Sequence, residues 1–142
     1  MVVNVEDSLA YHVNRTGRLL RRSLIRMFKE RGIEVTPEQW FSLNRLRRRR
    51  ELSQVELSDP ALGDAPNITR MLRTMERSGL VERVRDPEDG RRTLVRLTGE
   101  GERVHDVIAD AVTEERARLF GGFSRSEIAT TLRVLERLER RL

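Results

Sequence analysis

Arginine side chains in two neighbouring stretches carry the most distinctive chemistry of this chain. Arg70, Arg73 and Arg77 are interspersed with asparagine and threonine in one stretch, and Arg91 and Arg92 follow a short acidic segment in the next. A guanidinium group forms paired hydrogen bonds with a guanine edge or a phosphate, and threonine or asparagine can contact bases or the sugar-phosphate backbone. Such residues bind a polyanion rather than break a covalent bond, so we interpret both stretches as parts of a nucleic-acid interface.

The first stretch is predicted to be a helix. Asp64 is a good N-cap, Pro66 suits the first turn, and Gly79 suits the residue that ends a helix. Apolar residues at helical spacing predict one buried stripe, formed by Ile68, Met71, Leu72 and Met75. The opposite face is polar and basic, and comprises Asn67, Thr69, Arg70, Arg73, Thr74 and Arg77. That face is typical of a helix that reads a DNA major groove, although a solvated amphipathic helix has the same pattern.

A β-hairpin is predicted directly after this helix. Residues 80–84 and 93–97 are rich in β-branched side chains that roughly alternate with polar ones, and Pro87 and Gly90 mark a turn between them. A helix followed by a hairpin is the order of a winged helix, and arginines at the hairpin tip suit a narrow, electronegative minor groove. Carboxylates beside those arginines can orient a guanidinium. The alternative is a polar surface hairpin whose ion pairs contribute little.

Several motifs together resemble the MarR (multiple antibiotic resistance regulator) family of winged helix-turn-helix repressors. The matching segments are residues 67–72, residues 76–81, Asp86-Pro87-Glu88-Asp89-Gly90-Arg91-Arg92, Leu97-Thr98-Gly99-Glu100-Gly101, and a Thr-Pro-Glu-Gln-Trp start in which Val35 replaces a leucine. The resemblance covers nearly the whole chain. It implies a mainly α-helical fold with a small β-hairpin wing, in which a DNA-binding lobe joins a helical dimerisation lobe. It also implies that Arg91 enters the minor groove, that Asp89 orients Arg91, and that the Asn67–Arg73 side of the helix faces the major groove.

The DNA-binding region is predicted to span residues 36–97. Residues 52–57 are interpreted as the short first helix of the helix-turn-helix, in which Leu52 or Val55 packs with Leu57 under the second helix. Pro60 departs from the family pattern and predicts that the first helix ends early, with an altered turn. Polar residues at a helix N-terminus suit phosphate. The expected DNA contacts are Ser53, Gln54, Pro66, Asn67, Thr69, Arg70, Arg73, Arg77, Asp89, Arg91 and Arg92.

A further helix is predicted to start at residue 36. Thr36 is its N-cap, Pro37 takes the first position, and Gln39 completes a capping box. Its inward-facing residues are Trp40, Leu43 and Leu46. The helix ends in a basic run, Arg45–Arg50, which suits either phosphate contact or a solvated helix end favoured by the macrodipole.

The flanking helices, residues 7–32 and 99–142, are predicted to form a dimerisation region within the single domain 1–142. The first helix ends at Gly32 and carries an apolar stripe of Leu9, Val13, Leu20, Leu24, Met27 and Phe28. A long core helix is the alternative interpretation of that stripe.

The last two helices are predicted to be capped by Thr98 and Ser124. The first of them has an apolar stripe of Val104, Val107, Ile108, Ala111, Val112 and Leu119. The second has a stripe close to a coiled-coil pattern, formed by Ile128, Leu132, Leu135, Leu138 and Leu142. These faces exceed what so small a domain covers, so we expect the first helix and the last two to interlock with a second copy in a two-fold dimer.

Composition limits the possible functions. The 142 residues suit one domain, and 28 Lys and Arg against 23 Asp and Glu give a net charge of +5, which favours a polyanionic partner. The chain has no cysteine, which excludes disulfides, cysteine-based zinc sites and thiol redox sensing. No apolar run approaches the ~20 residues of a membrane span, and no signal peptide is evident. We therefore expect a cytoplasmic protein with no membrane partner.

An enzyme, a metal site and a cofactor are not predicted. His12 and His105 are the only histidines, and no nucleophile–base order, phosphate-binding glycine loop or paired carboxylates accompany them. The resemblance implies that a small aromatic or phenolic effector binds between the lobes and releases DNA, with His12 and Trp40 as candidate contacts, although Trp40 is also interpreted as a core residue.

The leading hypothesis is a homodimeric transcriptional regulator, more a repressor than an activator, that binds double-stranded DNA at an inverted repeat. The alternative is a winged-helix module for protein–protein contact, without specific DNA binding. The two differ in salt dependence, because phosphate contacts release counterions and protein contacts do not.

Overall fold

The structure is a computed structural model that describes residues 4–142. The helices of that range are α1 Leu9–Glu30, α2 Pro37–Arg49, α3 Gln54–Leu57, α4 Ala65–Arg77, α5 Gly99–Phe120 and α6 Arg125–Glu139. The strands are β1 Glu51–Ser53, β2 Val81–Arg85 and β3 Thr93–Leu97. The predicted fold class, mainly α with a small β-hairpin wing, is therefore confirmed.

Local capping signals place the helix starts where the sequence predicts them. Capping boxes form at Thr36 and Ser124, and Ser8 accepts a hydrogen bond from the Tyr11 N–H at the start of α1. The Asp64 carboxylate accepts from the Asn67 N–H at 2.9 Å, and the Thr98 hydroxyl accepts from the Gly101 N–H at 3.0 Å. The α4 helix ends at a glycine in the left-handed region, Gly79 with φ 75°.

The small sheet has one more strand than predicted. Its antiparallel order is β1-β3-β2, and Leu52 of β1 lies opposite Val95 of β3. The prediction that residues 52 and 53 are helical is therefore wrong, because backbone pairing with β3 extends them. The α3 helix is a single turn, and Val55 is 83% exposed, so Leu52 rather than Val55 joins Leu57 among the buried residues.

The turn after α3 is altered in the way Pro60 predicts. The helix ends at Leu57, and a 3₁₀ turn at Pro60–Leu62 leads to α4. The Asp59 side chain caps this turn by accepting from the Ala61 N–H at 2.9 Å. Leu62 is buried, so the altered turn still contributes a side chain to the core.

The core lies beneath the predicted apolar faces of α2 and α4. Trp40, Leu43 and Leu46 are buried, as predicted, and Met71 is only half-buried. The other buried side chains come from the end of α1, from α3 and α4, from the strands and from the first half of α5, among them Met27, Phe28, Leu57, Ile68, Leu72, Met75, Val95 and Ile108.

Two long helices keep apolar side chains exposed. Along the α1 stripe only the last residues, Met27 and Phe28, are buried, whereas Leu9 is 58% exposed. On α6, Leu132 is 53% exposed. The stripes therefore exceed what the described chain covers, as the sequence predicts.

The chain divides into two compact units, one ending at Ala109 and one comprising Asp110–Leu142. The predicted DNA-binding and dimerisation regions are defined by function, and their bounds stay a prediction. Across residues 4–142 no helix has both the length and the apolar character to cross a membrane.

Candidate nucleic-acid interface

The orientation of α4 follows from its two contrasting faces. Ile68, Leu72 and Met75 are fully buried and anchor one side of the helix to the core. The opposite side is exposed at Asn67, Arg70, Arg73, Thr74 and Arg77, and Thr69 is half-buried. Burial of a stripe fixes the rotation of a helix about its axis, so the basic face must point to solvent.

A hydrogen-bonded pair joins α3 to α4 at this surface. The Gln54 side-chain amide donates to the Thr69 hydroxyl at 2.7 Å, and that hydroxyl donates to the Ala65 carbonyl at 3.0 Å. The single hydroxyl proton of Thr69 is thereby committed to a bond within the helix. Gln54 keeps its carbonyl oxygen and one N–H for a ligand.

The arginines of α4 differ in how they are held. The Arg70 guanidinium donates to the Asn67 side-chain carbonyl, which orients it along the helix surface. The Arg77 Nε lies 3.4 Å from the Arg73 carbonyl oxygen. For the Arg73 guanidinium no hydrogen bond or ion pair is found within residues 4–142. Arg73 is therefore the α4 cation that is most available to a ligand.

The one-turn helix α3 is held by Arg45. Its guanidinium donates to the Glu56 carbonyl at 2.8 Å and to the Leu57 carbonyl at 3.1 Å. Carbonyls at a helix C-terminus lack intrahelical partners, so Arg45 serves as an external cap. In the same basic run, Arg47 lies 3.5 Å from Asp106. In the sequence, the basic run Arg45–Arg50 suits either a phosphate contact or a solvated helix end. Neither interpretation includes these intrachain contacts, because the residues that Arg45 and Arg47 contact are distant in the sequence.

The wing loop is fixed by short-range hydrogen bonds. The Asp86 carboxylate accepts from the Glu88 N–H at 2.9 Å, and the Asp89 carboxylate accepts from the Arg91 N–H at 3.0 Å. Asp89 thus bonds the backbone of Arg91 rather than its guanidinium. The Arg91 side chain is exposed, and its guanidinium has no partner in the described part of the chain.

Arg92 points to a different partner. Its guanidinium lies 2.6 Å from the Glu56 carboxylate of α3, and the other Glu56 oxygen accepts from the Ser53 N–H at 2.7 Å. The backbone hydrogen bond from Ser53, followed by the bond from Arg92, lowers the pKa of Glu56 to about 2. Glu56 was absent from the expected site, and no local sequence pattern joins it to a residue 36 positions later. Ser53 is buried, and its hydroxyl accepts from the Glu56 N–H at 3.2 Å.

Within residues 4–142, ion pairs neutralise Arg83 and Arg96 of the sheet, but not Arg85. Arg96 lies 2.6 Å from Glu82, and Arg83 lies 3.0 Å from Glu76. Within α4, β2 and the wing, the arginines for which no ion pair is found among the described residues are Arg70, Arg73, Arg77, Arg85 and Arg91. The basic charge is therefore patterned, with the unpaired cations on α4 and near the wing tip.

The two candidate effector residues have different surroundings. Trp40 is buried and stacks on His105, with ring centroids 5.2 Å apart. The His105 Nδ1 lies 2.8 Å from Asp106, and this hydrogen bond lowers the pKa of Asp106. His12 is exposed on α1 beside Tyr11. In residues 4–142 no hydrogen bond or ring contact joins His12 to Trp40, and no cluster of acidic or histidine side chains suits a metal ion.

A helix-turn-helix followed by a two-stranded wing defines the winged helix-turn-helix class, and this chain has both. The model of the MarR family matches residues 35–93, which contain α2 to the start of β3. This segment therefore matches the MarR family, whose members are transcriptional regulators rather than enzymes.

Curated relatives agree with this assignment. The chain is 29% identical over 131 residues to the HTH-type transcriptional repressor IacR of Pseudomonas putida, which covers 92% of this chain and 77% of IacR. It is 32% identical over 80 residues to the HTH-type transcriptional regulator FarR of Neisseria gonorrhoeae. That alignment covers 56% of this chain and 55% of FarR, so it spans about half the length of that relative.

Solved structures show the same fold over nearly the whole chain. MepR of Staphylococcus aureus, crystallised with DNA, superposes with a TM-score of 0.82 at 19% identity, and covers 96% of this chain and 98% of MepR. NadR, crystallised with 4-hydroxyphenylacetate, has a TM-score of 0.80 at 22% identity, with 97% and 96% of the two chains covered.

Proposed function

We propose that this chain is a homodimeric, cytoplasmic, sequence-specific repressor that binds an inverted-repeat DNA operator. The observation that carries the proposal is the surface of α4. Its apolar side is locked in the core, its basic side is exposed, and the wing beside it ends in an unpaired arginine. Bound DNA in the MepR crystal supports the same use of the fold.

The proposed contacts divide between the two grooves. Arg70 and Arg73 read base edges or nearby phosphates in the major groove, with Asn67 orienting Arg70. The surface proposed to face the major groove is also lined by Gln54, Pro66, Thr69 and Arg77. Arg91 enters the minor groove, and Asp89 fixes the backbone from which Arg91 projects. Ser53 is buried in its capping box, so we leave it out of the contact set.

Dimerisation through a second copy accounts for the exposed apolar stripes. Leu9 and Leu20 on α1, and Leu132 on α6, remain exposed in the single chain. A two-fold dimer would cover these stripes and set two copies of α4 about 34–36 Å apart, one turn of B-DNA. An inverted repeat with half-sites at that spacing is the expected operator.

Regulation by a small aromatic or phenolic acid is part of the proposal. The support is NadR, whose crystal contains 4-hydroxyphenylacetate, together with an aromatic residue in this chain at α2. Trp40 and His12 stay the candidate contacts.

Selection of bound duplexes from a random DNA pool tests the proposal. We expect an inverted repeat to be enriched, and binding to weaken by about 10³-fold or more between about 50 and 200 mM salt, as several phosphate contacts require. Retention of no duplex over scrambled competitor would overturn the proposal and favour a protein–protein module.

A further inference from the structure

Glu56 and Arg92 form a bridge between α3 and the wing. The Arg92 guanidinium lies 2.6 Å from the Glu56 carboxylate, although the two residues are 36 positions apart in the sequence. Glu56 belongs to the helix-turn-helix, and Arg92 is the last residue of the wing loop. Each residue is also tied to its own element. The second Glu56 oxygen accepts from the Ser53 N–H at the start of α3, so one carboxylate binds both elements.

The backbone of Arg92 closes the wing loop. Its N–H donates to the Asp89 carbonyl at 2.9 Å, and its carbonyl accepts from the Asp86 N–H at 2.9 Å. These two bonds enclose the segment that presents Arg91. A side chain fixed at Arg92 therefore fixes the base of the loop whose tip carries the minor-groove arginine.

The surroundings of Arg92 disfavour a phosphate contact. Besides Glu56, the carboxylates of Asp86 and Asp89 lie near enough to favour its charged form. Three carboxylates around one guanidinium repel a phosphate, whereas the exposed Arg91 guanidinium has no such partner among the described residues. Glu56 is ionised at neutral pH, and its pKa, lowered to about 2, keeps the bridge charged into the acidic range as well.

We propose that Glu56 is a positioning residue that holds the wing through Arg92, and that Arg92 does not contact DNA. This inference rests on the proposed function and replaces the sequence-based expectation that Arg92 contacts DNA. Glu56 then acts on DNA binding through Arg91, since the ion pair between Glu56 and Arg92 fixes where the loop tip that carries Arg91 lies relative to α4.

Glu56→Gln tests the inference by the sign of its effect on DNA affinity. Glutamine can still complete the capping box with Ser53, but it loses the charge that holds Arg92. We expect operator affinity to fall roughly two- to fivefold, the range of a partly exposed ion pair, with the salt slope unchanged. If Glu56 instead withholds Arg92 from phosphate, affinity will rise and the slope will steepen by about 0.9 for each wing. That result, or an unchanged affinity, would overturn the proposal.

Two further variants separate positioning from simple stability. Glu82→Gln removes a carboxylate that pairs with an arginine at the same distance, 2.6 Å from Arg96, and serves as the control for a lost acidic charge. In an Arg91→Ala background, Glu56→Gln should cause no further loss of affinity, because its effect passes through Arg91. If Glu56→Gln reduces DNA affinity equally in the wild-type and Arg91→Ala chains, Glu56 does not act through Arg91 and the proposed positioning role is contradicted. Failure of the wild-type chain to bind any selected duplex would overturn the proposed function, and this inference with it.

Discussion

Arg91→Ala removes the unpaired guanidinium at the wing tip and should leave the fold intact. The Arg91 side chain is exposed, and the bond that fixes its backbone, from the Arg91 N–H to Asp89, survives the substitution. A dimer loses two such cations, one from each wing. If each is worth one phosphate contact, the slope of log affinity against log salt becomes shallower by about 1.8.

This change in slope sets the size of the effect. Counterion release vanishes near about 1 M salt, so the lost slope gives about 200-fold weaker binding at about 50 mM salt and about 20-fold at about 200 mM. Fluorescence anisotropy with the selected operator at several salt concentrations measures both. Arg125→Ala, on α6, is the control for loss of a positive charge outside α4 and the wing. A variant that binds with wild-type slope would refute the assignment of Arg91, provided that its circular dichroism and dimeric state are unchanged.

Three other predictions concern the wing and the fold. Asp89→Asn should bind DNA nearly as well as the wild type because its amide oxygen can still accept from the Arg91 N–H, whereas Asp89→Ala should weaken binding; equal losses in an anisotropy titration would show that the negative charge itself matters. Gly101→Ala would place its Cβ far inside van der Waals contact with the Leu80 carbonyl oxygen, so thermal unfolding should show a loss of about 1–3 kcal/mol, while Gly17→Ala, with nothing within 4 Å, should cost nothing. Because the folded pKa of Glu56 is about 2, below its ordinary value, its stabilising effect should be complete above pH ~4.3 and fade as pH falls toward 2. The difference in unfolding free energy between wild type and Glu56→Gln, measured by urea titration, should therefore shrink on acidification, and a constant difference would contradict this.

The elements that the sequence predicts well are those that depend on neighbouring residues. The capping boxes at Thr36 and Ser124 and the N-cap at Asp64 involve residues three positions apart, so local pattern suffices to place them. The apolar stripe of α4 can be predicted from helical spacing alone. The end of the helix at Gly79 can be predicted because glycine readily adopts the positive φ found there. The exposed basic face follows from the same periodicity.

The features that the sequence does not reveal depend on contacts between distant residues. The three residues of β1 become a strand because β3 pairs with them, and nothing in Glu51–Ser53 alone requires it. Arg45 caps α3 from 11 to 12 positions away. Among many exposed acids and arginines, the pairing of Glu56 with Arg92 is one of numerous combinations that charge pattern alone permits. Charge composition therefore predicts a basic surface, but not which arginines stay unpaired.

The spacing of the two half-sites tests the central claim most directly. The selected operator is compared with a version in which about 5 base pairs are inserted between its half-sites, which turns one half-site to the opposite face of the duplex. If paired α4 helices and wings read both halves, the insertion should reduce affinity toward the non-specific level, about 10³-fold or more weaker than specific binding. Equal affinity for the two duplexes would contradict the account.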